Sequence, residues 1–234
     1  MRTSGPEHHP RATLLSDFIL GSQDGLVNVL GILLGLVIST SDVRIIYIAA
    51  LAALAAESIS MGAVAYTSTR ARRLLYLSEE QRELAEMRDL PDIEREEVRV
   101  IFRDWGYEGE ELEELVRKIE SKPKAMLDLM MAFELRLSPV AEDQPLQSGL
   151  IVLGATVVGS FIPLVPFFVF PTMLHLAAVI SVIASGAMLF AVGWYEARTT
   201  LGVTWRSGLR MVVIGLAAGL GGFAIGLLAN ARVI

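Results

Sequence analysis

Cysteine is absent from this chain of 234 residues. Neither a disulfide framework nor a thiolate metal site can be built from it, so any metal must be held by oxygen, thioether or imidazole ligands. Histidine is scarce too, with three residues in all, and the adjacent His8 and His9 fit a metal-scavenging tail as well as a plain flexible one. His175 and Glu196, placed at opposite ends of an apolar stretch, have no nucleophile, phosphate loop or catalytic triad around them, so no enzyme signature is found and no prosthetic group is expected. Met1 to Ser16 hold Arg2 and Arg11 but no apolar core, which argues against a cleavable signal peptide. No low-complexity linker or internal repeat interrupts the chain. A net charge of −6 is unfavourable for binding nucleic acid, and none is expected as a partner.

Apolar residues are what the sequence has in plenty. They make up 53% of the chain, and the mean hydropathy is +0.52, values that point to the bilayer as solvent. A bilayer span needs about 20 mostly apolar residues, and five stretches qualify: Asp17 to Ile38, Ile45 to Thr69, Leu146 to Phe168, Thr172 to Glu196, and Ser207 to Ala229. The expected fold is all-α, a polytopic membrane protein with five transmembrane helices. Pro163 and Pro166 are expected to close the third span in a Pro-Phe turn. Gly215, Gly219, Gly222 and Gly226 mark the fifth as a packing helix. Arg2 and Arg11 precede the first span, Arg70, Arg72 and Arg73 follow the second, and Arg198, Arg206 and Arg210 separate the fourth from the fifth. By the positive-inside rule this side is cytosolic, which puts the N-terminal tail, residues 1–16, in the cytosol and the C-terminus outside.

Charge is concentrated between the second and third spans. Residues 74–137 hold 18 acidic and 10 basic side chains, a local net charge of −8 against +2 for the remainder. Helical stripes are expected here: Leu74, Leu77, Leu84 and Met87 continue span two, Asp89-Leu90-Pro91-Asp92 breaks it, and Val98, Ile101 and Phe102 carry a short helix ending near Gly106. Leu112, Leu115, Val116 and Ile119 make the next helix, and a piece restarted at Pro123 feeds span three near Leu137. Glu83 with Glu86 and Glu94 with Glu97 stand three apart on a helix face, where carboxylates can converge on one cation or form a solvated acidic surface. Met130 and Met131 lie four and three residues before Glu134, adding thioethers that are otherwise core filling. Carboxylate mixed with thioether favours a divalent transition metal over copper(I).

Two acids fall inside spans. The apolar run from Leu26 to Ile38 is too short to cross alone, so span one recruits Asp24, about 10 Å along the helix from Asp17. Glu57 sits mid-span in the second helix, with Met61 four residues on and on the same face. Buried acids tend to mark ion or proton pathways, whereas a capping Asp24 and a hydrogen-bonded Glu57 are the structural alternatives.

These residues resemble the vacuolar iron transporter family. The likeness rests on Asp24-Gly25-Leu26-Val27, on Ser60-Met61-Gly62 with Tyr66 and Ser68, on Met130-Met131-Ala132-Phe133-Glu134, and on Gly159 to Pro166. It implies five spans, a cytosolic metal-binding domain between the second and third, and a homodimer that exports Fe(II), and often Mn(II), against protons. It further implies a metal domain using Glu83, Glu86, Glu94, Glu97, Met130, Met131 and Glu134, and a path lined by Asp24 and Met61. Many members carry an acid before the span-two tyrosine where this chain has Ala65, and Glu57 is the acid at hand. The compact layout is similar to a prokaryotic, plasma-membrane member. A membrane-anchored metal buffer or sensor, or an acidic docking module on a transporter, are the competing expectations. The partners expected are divalent metal ions, protons, lipid and a second copy.

Overall fold

A computed structural model describes residues 10–199 and 203–233. Its helices, in chain order, are α1 (Pro10–Ser39), α2 (Val43–Asp89), α3 (Pro91–Asp104), α4 (Gly109–Glu120), α5 (Pro123–Leu129), a π-helical turn (Met130–Glu134), α6 (Gln144–Val169), α7 (Leu174–Thr199) and α8 (Thr204–Val233). No strand occurs among the described residues. Five helices, α1, α2, α6, α7 and α8, are long and apolar enough to cross a membrane. The fold is therefore that of an all-α, multi-pass membrane protein. His8 and His9 lie outside the described residues. His175 is exposed in the first turn of α7, and Glu196 is half-buried in its last turn.

The chain divides into two compact units, one reaching Tyr66 and resuming at Leu146, the other Thr67–Pro145. In the membrane unit, Leu26, Val29, Leu30 and Leu33 follow the i, i+3, i+4, i+7 pattern along α1 and are buried. They join a core that includes Ile46 and Leu54 of α2, Leu164 and Phe167 of α6, and Ala177 of α7. Lipid tails are as apolar as these side chains, so close packing holds such helices together. Glycine allows it: a Cβ on Gly159 would fall on the Ser22 carbonyl, and one on Gly222 would fall on the Gly31 carbonyl. Backbone cannot rotate away, so Gly159→Leu should force α6 off α1.

Two boundaries differ from the sequence expectation. α1 begins at Pro10, inside the segment expected to be a tail. α6 runs through Pro163 and Pro166 to Val169, and the turn starts only at Phe170. Proline in a spanning helix is tolerated where neighbouring groups satisfy the backbone. Here the Tyr47 hydroxyl donates at 2.6 Å to the Phe167 carbonyl, the acceptor that Pro171, four residues on, has no N–H to serve, and the Ser181 hydroxyl adds a bond of 2.7 Å to the Pro163 carbonyl.

In the second unit, α3 opens with Pro91 and carries Asp92 and Glu94 in its first turn and Arg103 in its last. α4 repeats the arrangement with Glu110 and Glu111, then Arg117 and Lys118, so both helices match the macrodipole. Their apolar stripes meet: Val98, Ile101 and Phe102 of α3 pack with Leu112 and Val116 of α4 and with Met126, Leu129 and Met130. Each fully buried chain of this size contributes about 1.5–3 kcal/mol. Gly106, at φ +92°, makes the turn between α3 and α4 in a conformation that L side chains avoid. The last helical piece stops at Glu134, short of Leu137, because Arg136 takes φ +54° and Pro139 follows.

Candidate metal site

α3 carries acids on two sides, and the sides differ. On one, Arg95 Nε donates to both carboxylate oxygens of Glu120 at 3.1 Å and Nη1 donates to Asp92 at 2.9 Å. One turn on, Arg99 Nε donates to Glu113 at 2.7 Å, and Nη1 also bonds Glu96. These arginines hold the Glu113 and Glu120 carboxyls below the usual carboxylate range. They lace α3 to α4.

The other side has no arginine pairing of this kind. Glu94 lies on the buried stripe of α3, one turn before Val98, with 2% of its surface exposed. Glu83 of α2 is 1% exposed and stands one turn before Met87, which packs on the same apolar core. Burial, a hydrogen bond to Glu94, and the charges of Glu94, Glu86 and Glu97 push the Glu83 carboxyl up to about 8. Burial also raises Glu94, helped by Glu97, Glu134 and Glu86 and opposed by its bond from Glu83. Glu97 is raised by burial and by Glu86. Glu134, exposed on the π-helical turn, is pushed up to about 7 by desolvation and by Glu97, Glu83 and Glu86, with Arg82 opposing. Glu86 keeps a 3.6 Å contact with Arg82.

Five carboxyls from α2, α3 and the π-helical turn thus share one electrostatic neighbourhood. Oε1 of Glu83 and Oε2 of Glu94 are buried with no hydrogen-bond partner, an arrangement that costs stability unless something else satisfies it. Among the described residues, no three His, Asp or Glu side chains are arranged to hold a metal ion as they stand. Converging on one ion would take side-chain rotation. Met131 is buried, while Met130 is fully buried within the apolar core. The π-helical turn, closed by Leu135 N–H to the Met130 carbonyl at 3.1 Å, admits an extra residue per turn, a feature frequent at functional sites.

The membrane unit holds a smaller polar group. Asn28 Nδ2 donates to Asp24 Oδ1 at 3.4 Å, one turn away on α1, and to Glu57 Oε1 of α2. Sequence reasoning picked out the two acids and missed the amide joining them. The signal was available, since Asn28 follows Asp24 by four residues in an otherwise apolar run. Met61 is half-buried on the Glu57 face of α2, and Ala65 is buried. Nearer the start of α1, the Ser148 hydroxyl donates to Asp17.

The family model described as "VIT family" matches residues 15–227, which take in both groups of acids. The chain belongs to the VIT family. It is 32% identical over 219 residues to vacuolar iron transporter 1 of Arabidopsis thaliana, covering 94% of this chain and 87% of that protein. Over 220 residues it is 33% identical to the vacuolar iron transporter of Centaurea cyanus, with 94% and 89% covered. To protein CCC1 of Saccharomyces cerevisiae it is 26% identical over 226 residues, 92% of this chain and 69% of that protein. The VIT family match and these relatives span the five apolar helices and the charged unit together.

Proposed function

We propose that this protein is a proton-coupled antiporter that exports Fe(II) and Mn(II) from the cytosol across the membrane. The observation that carries the reading is the pair Glu83 and Glu94, buried at the edge of an apolar core with an unsatisfied oxygen each and no basic partner. Their neighbours Glu86, Glu97 and Glu134 raise the pair's proton affinity. A divalent cation relieves that repulsion, supplies what the orphaned oxygens lack, and releases protons as it binds. Carboxylate oxygens, with the Met131 thioether, suit a divalent first-row metal. The names of the relatives support iron as cargo.

In this reading the charged unit faces the cytosol, because the arginine-bearing ends of the spans lie on its side. Captured metal passes to Asp24, Glu57 and Met61 within the membrane, and the same carboxylates return protons. The working form is a homodimer in a prokaryotic plasma membrane. Flux in proteoliposomes provides the test. Fe(II) or Mn(II) uptake should be accompanied by counter-movement of protons, and Asp24→Ala should reduce both to the level of empty vesicles. Saturable metal binding without uptake would replace this reading with that of a membrane-anchored buffer or sensor.

A further inference from the structure

Asp24 and Glu57 bring two carboxyl groups together inside the membrane unit, and neither of their own spans carries a cation to balance them. No basic residue occurs between Asp17 and Arg44 or between Ile45 and Thr69. The group placed between the acids is the Asn28 amide, whose Nδ2 donates to Asp24 on its own helix and to Glu57 on the next. An amide nitrogen has two hydrogens, enough to serve both carboxyls, and a carbonyl oxygen on the other side of the same plane. Asn28 also lines a groove of about 480 Å3 between α1 and α8, together with Gly31, Ile32 and Gly222. The side chain therefore has two acids against it and open space beside it.

We propose that Asn28 is the positioning residue of the intramembrane cation step: its N–H groups hold Asp24 and Glu57 together between ions, and rotation of the amide offers its carbonyl oxygen when a cation arrives. This rests on the transport reading above. The chemistry follows from what an amide can and cannot face. A divalent cation lodged between the carboxyls occupies the place of the N–H donors and repels their positive ends. Turning the amide about its Cβ–Cγ bond replaces a repelled donor with a neutral oxygen ligand of the kind hard divalent cations accept. Leaving reverses the turn, and the N–H groups recapture the acids. A carboxylate at the same position would bind the ion without being able to hold the empty acids together.

The test uses full-length protein in proteoliposomes, with Mn(II) as the probe and initial uptake measured against concentration. Asn28→Leu should raise KM by about tenfold, the scale of a lost hydrogen bond to a charged group. Asn28→Asp, which keeps the oxygens and loses the donors, should lower both KM and maximal flux because the ion is held and not released. The double variant Asn28→Leu/Glu57→Gln should lose less than the sum of the two single losses, since the amide and that carboxyl serve the same ion. A general packing defect would instead add to the effect of Glu57→Gln and would not split KM from maximal flux. If unsubstituted protein moves Mn(II) while Asn28→Leu matches it, or if the two substitutions simply add, the role of Asn28 is overturned and transport stands. If the unsubstituted protein moves no Mn(II), the transport reading falls and takes this inference with it.

Discussion

The two sides of α3 offer a controlled comparison within 14 residues. Asp92 and Glu96 share their side with Arg95 and Arg99, and the result is a lattice of ion pairs to Glu113 and Glu120. Glu94 and Glu97 face Glu83, Glu86 and Glu134, and every shifted carboxyl in that group is raised. Residue type is the same on both sides. The sign of the shift separates acids that fasten helices from acids that destabilise the fold when ionised, and the second kind needs a reason to exist. Cation binding supplies one.

The strongest way to break the contrast is to give the second side its own arginine. In Glu97→Arg, a guanidinium would stand among Glu86, Glu83 and Glu134 much as Arg99 stands between Glu96 and Glu113. Mn(II) affinity of the full-length protein, measured by calorimetry in detergent, should fall about 100-fold, since one ligand is lost and the remaining acids gain a competing cation. Unchanged affinity would mean that these acids do not collect metal. A gentler version removes charge without adding a cation. Glu83→Gln and Glu94→Gln should each weaken binding by about tenfold. Losing either should raise the concentration needed for half-maximal transport more than it lowers the maximal rate.

Proton linkage sharpens the comparison, because the two sides pull in opposite directions. Glu83 has a carboxyl at about 8 in the folded protein against an ordinary 4.5, so between those pH values the folded state binds more protons than the unfolded one. Its contribution is fully present below about pH 4.5 and is lost as pH rises through about 8. Glu134, pushed up to about 7, acts in the same sense over a narrower window. With a chelator present, the thermal midpoint of the protein should fall by a few degrees from pH 5 to pH 8. Glu83→Gln should flatten that slope, and added Mn(II) should reverse it by favouring the ionised form. Glu113 and Glu120 are lowered, so their contribution is present above about pH 4.5 and disappears as pH falls below it. A midpoint that rose toward pH 8 in wild-type protein would contradict the buried-acid account.

Much of this architecture was legible in the sequence. The five apolar helices could be read because a bilayer imposes a length and a composition, and the break at Leu90-Pro91 could be read because proline lacks an N–H. The continuation of α6 through Pro163 and Pro166 was not legible, since proline inside a spanning helix is tolerated where packing around it allows, and the packing is not written in the local sequence. Glu83 and Glu94 were marked by spacing alone. What spacing could not reveal is that both are buried at the edge of an apolar core while Glu96 and Glu113 are taken by Arg99. That sorting depends on where α2 and α3 meet. Met130 shows the same limit in reverse: a methionine beside a glutamate looks like a ligand in sequence, yet it packs among Val98, Leu112 and Leu129.

The smallest expected effect lies on the arginine-laced side and completes the comparison. Arg99 bonds Glu113 through two nitrogens, at 2.7 and 3.1 Å, and also reaches Glu96. Glu113 lies on the exposed face of α4, where water and salt screen such a pair and the entropy of fixing two long side chains offsets most of the attraction. Glu113→Gln should therefore shift the thermal midpoint by less than about 2 °C and leave Mn(II) affinity unchanged. The substitution removes one negative charge from the same unit, as Glu83→Gln does, so it controls for net charge. If Glu113→Gln weakened Mn(II) binding as much as Glu83→Gln does, the acidic unit would be acting as a diffuse cloud of charge. Attraction would then depend on total charge alone, and the burial of Glu83 and Glu94 would carry no chemical meaning.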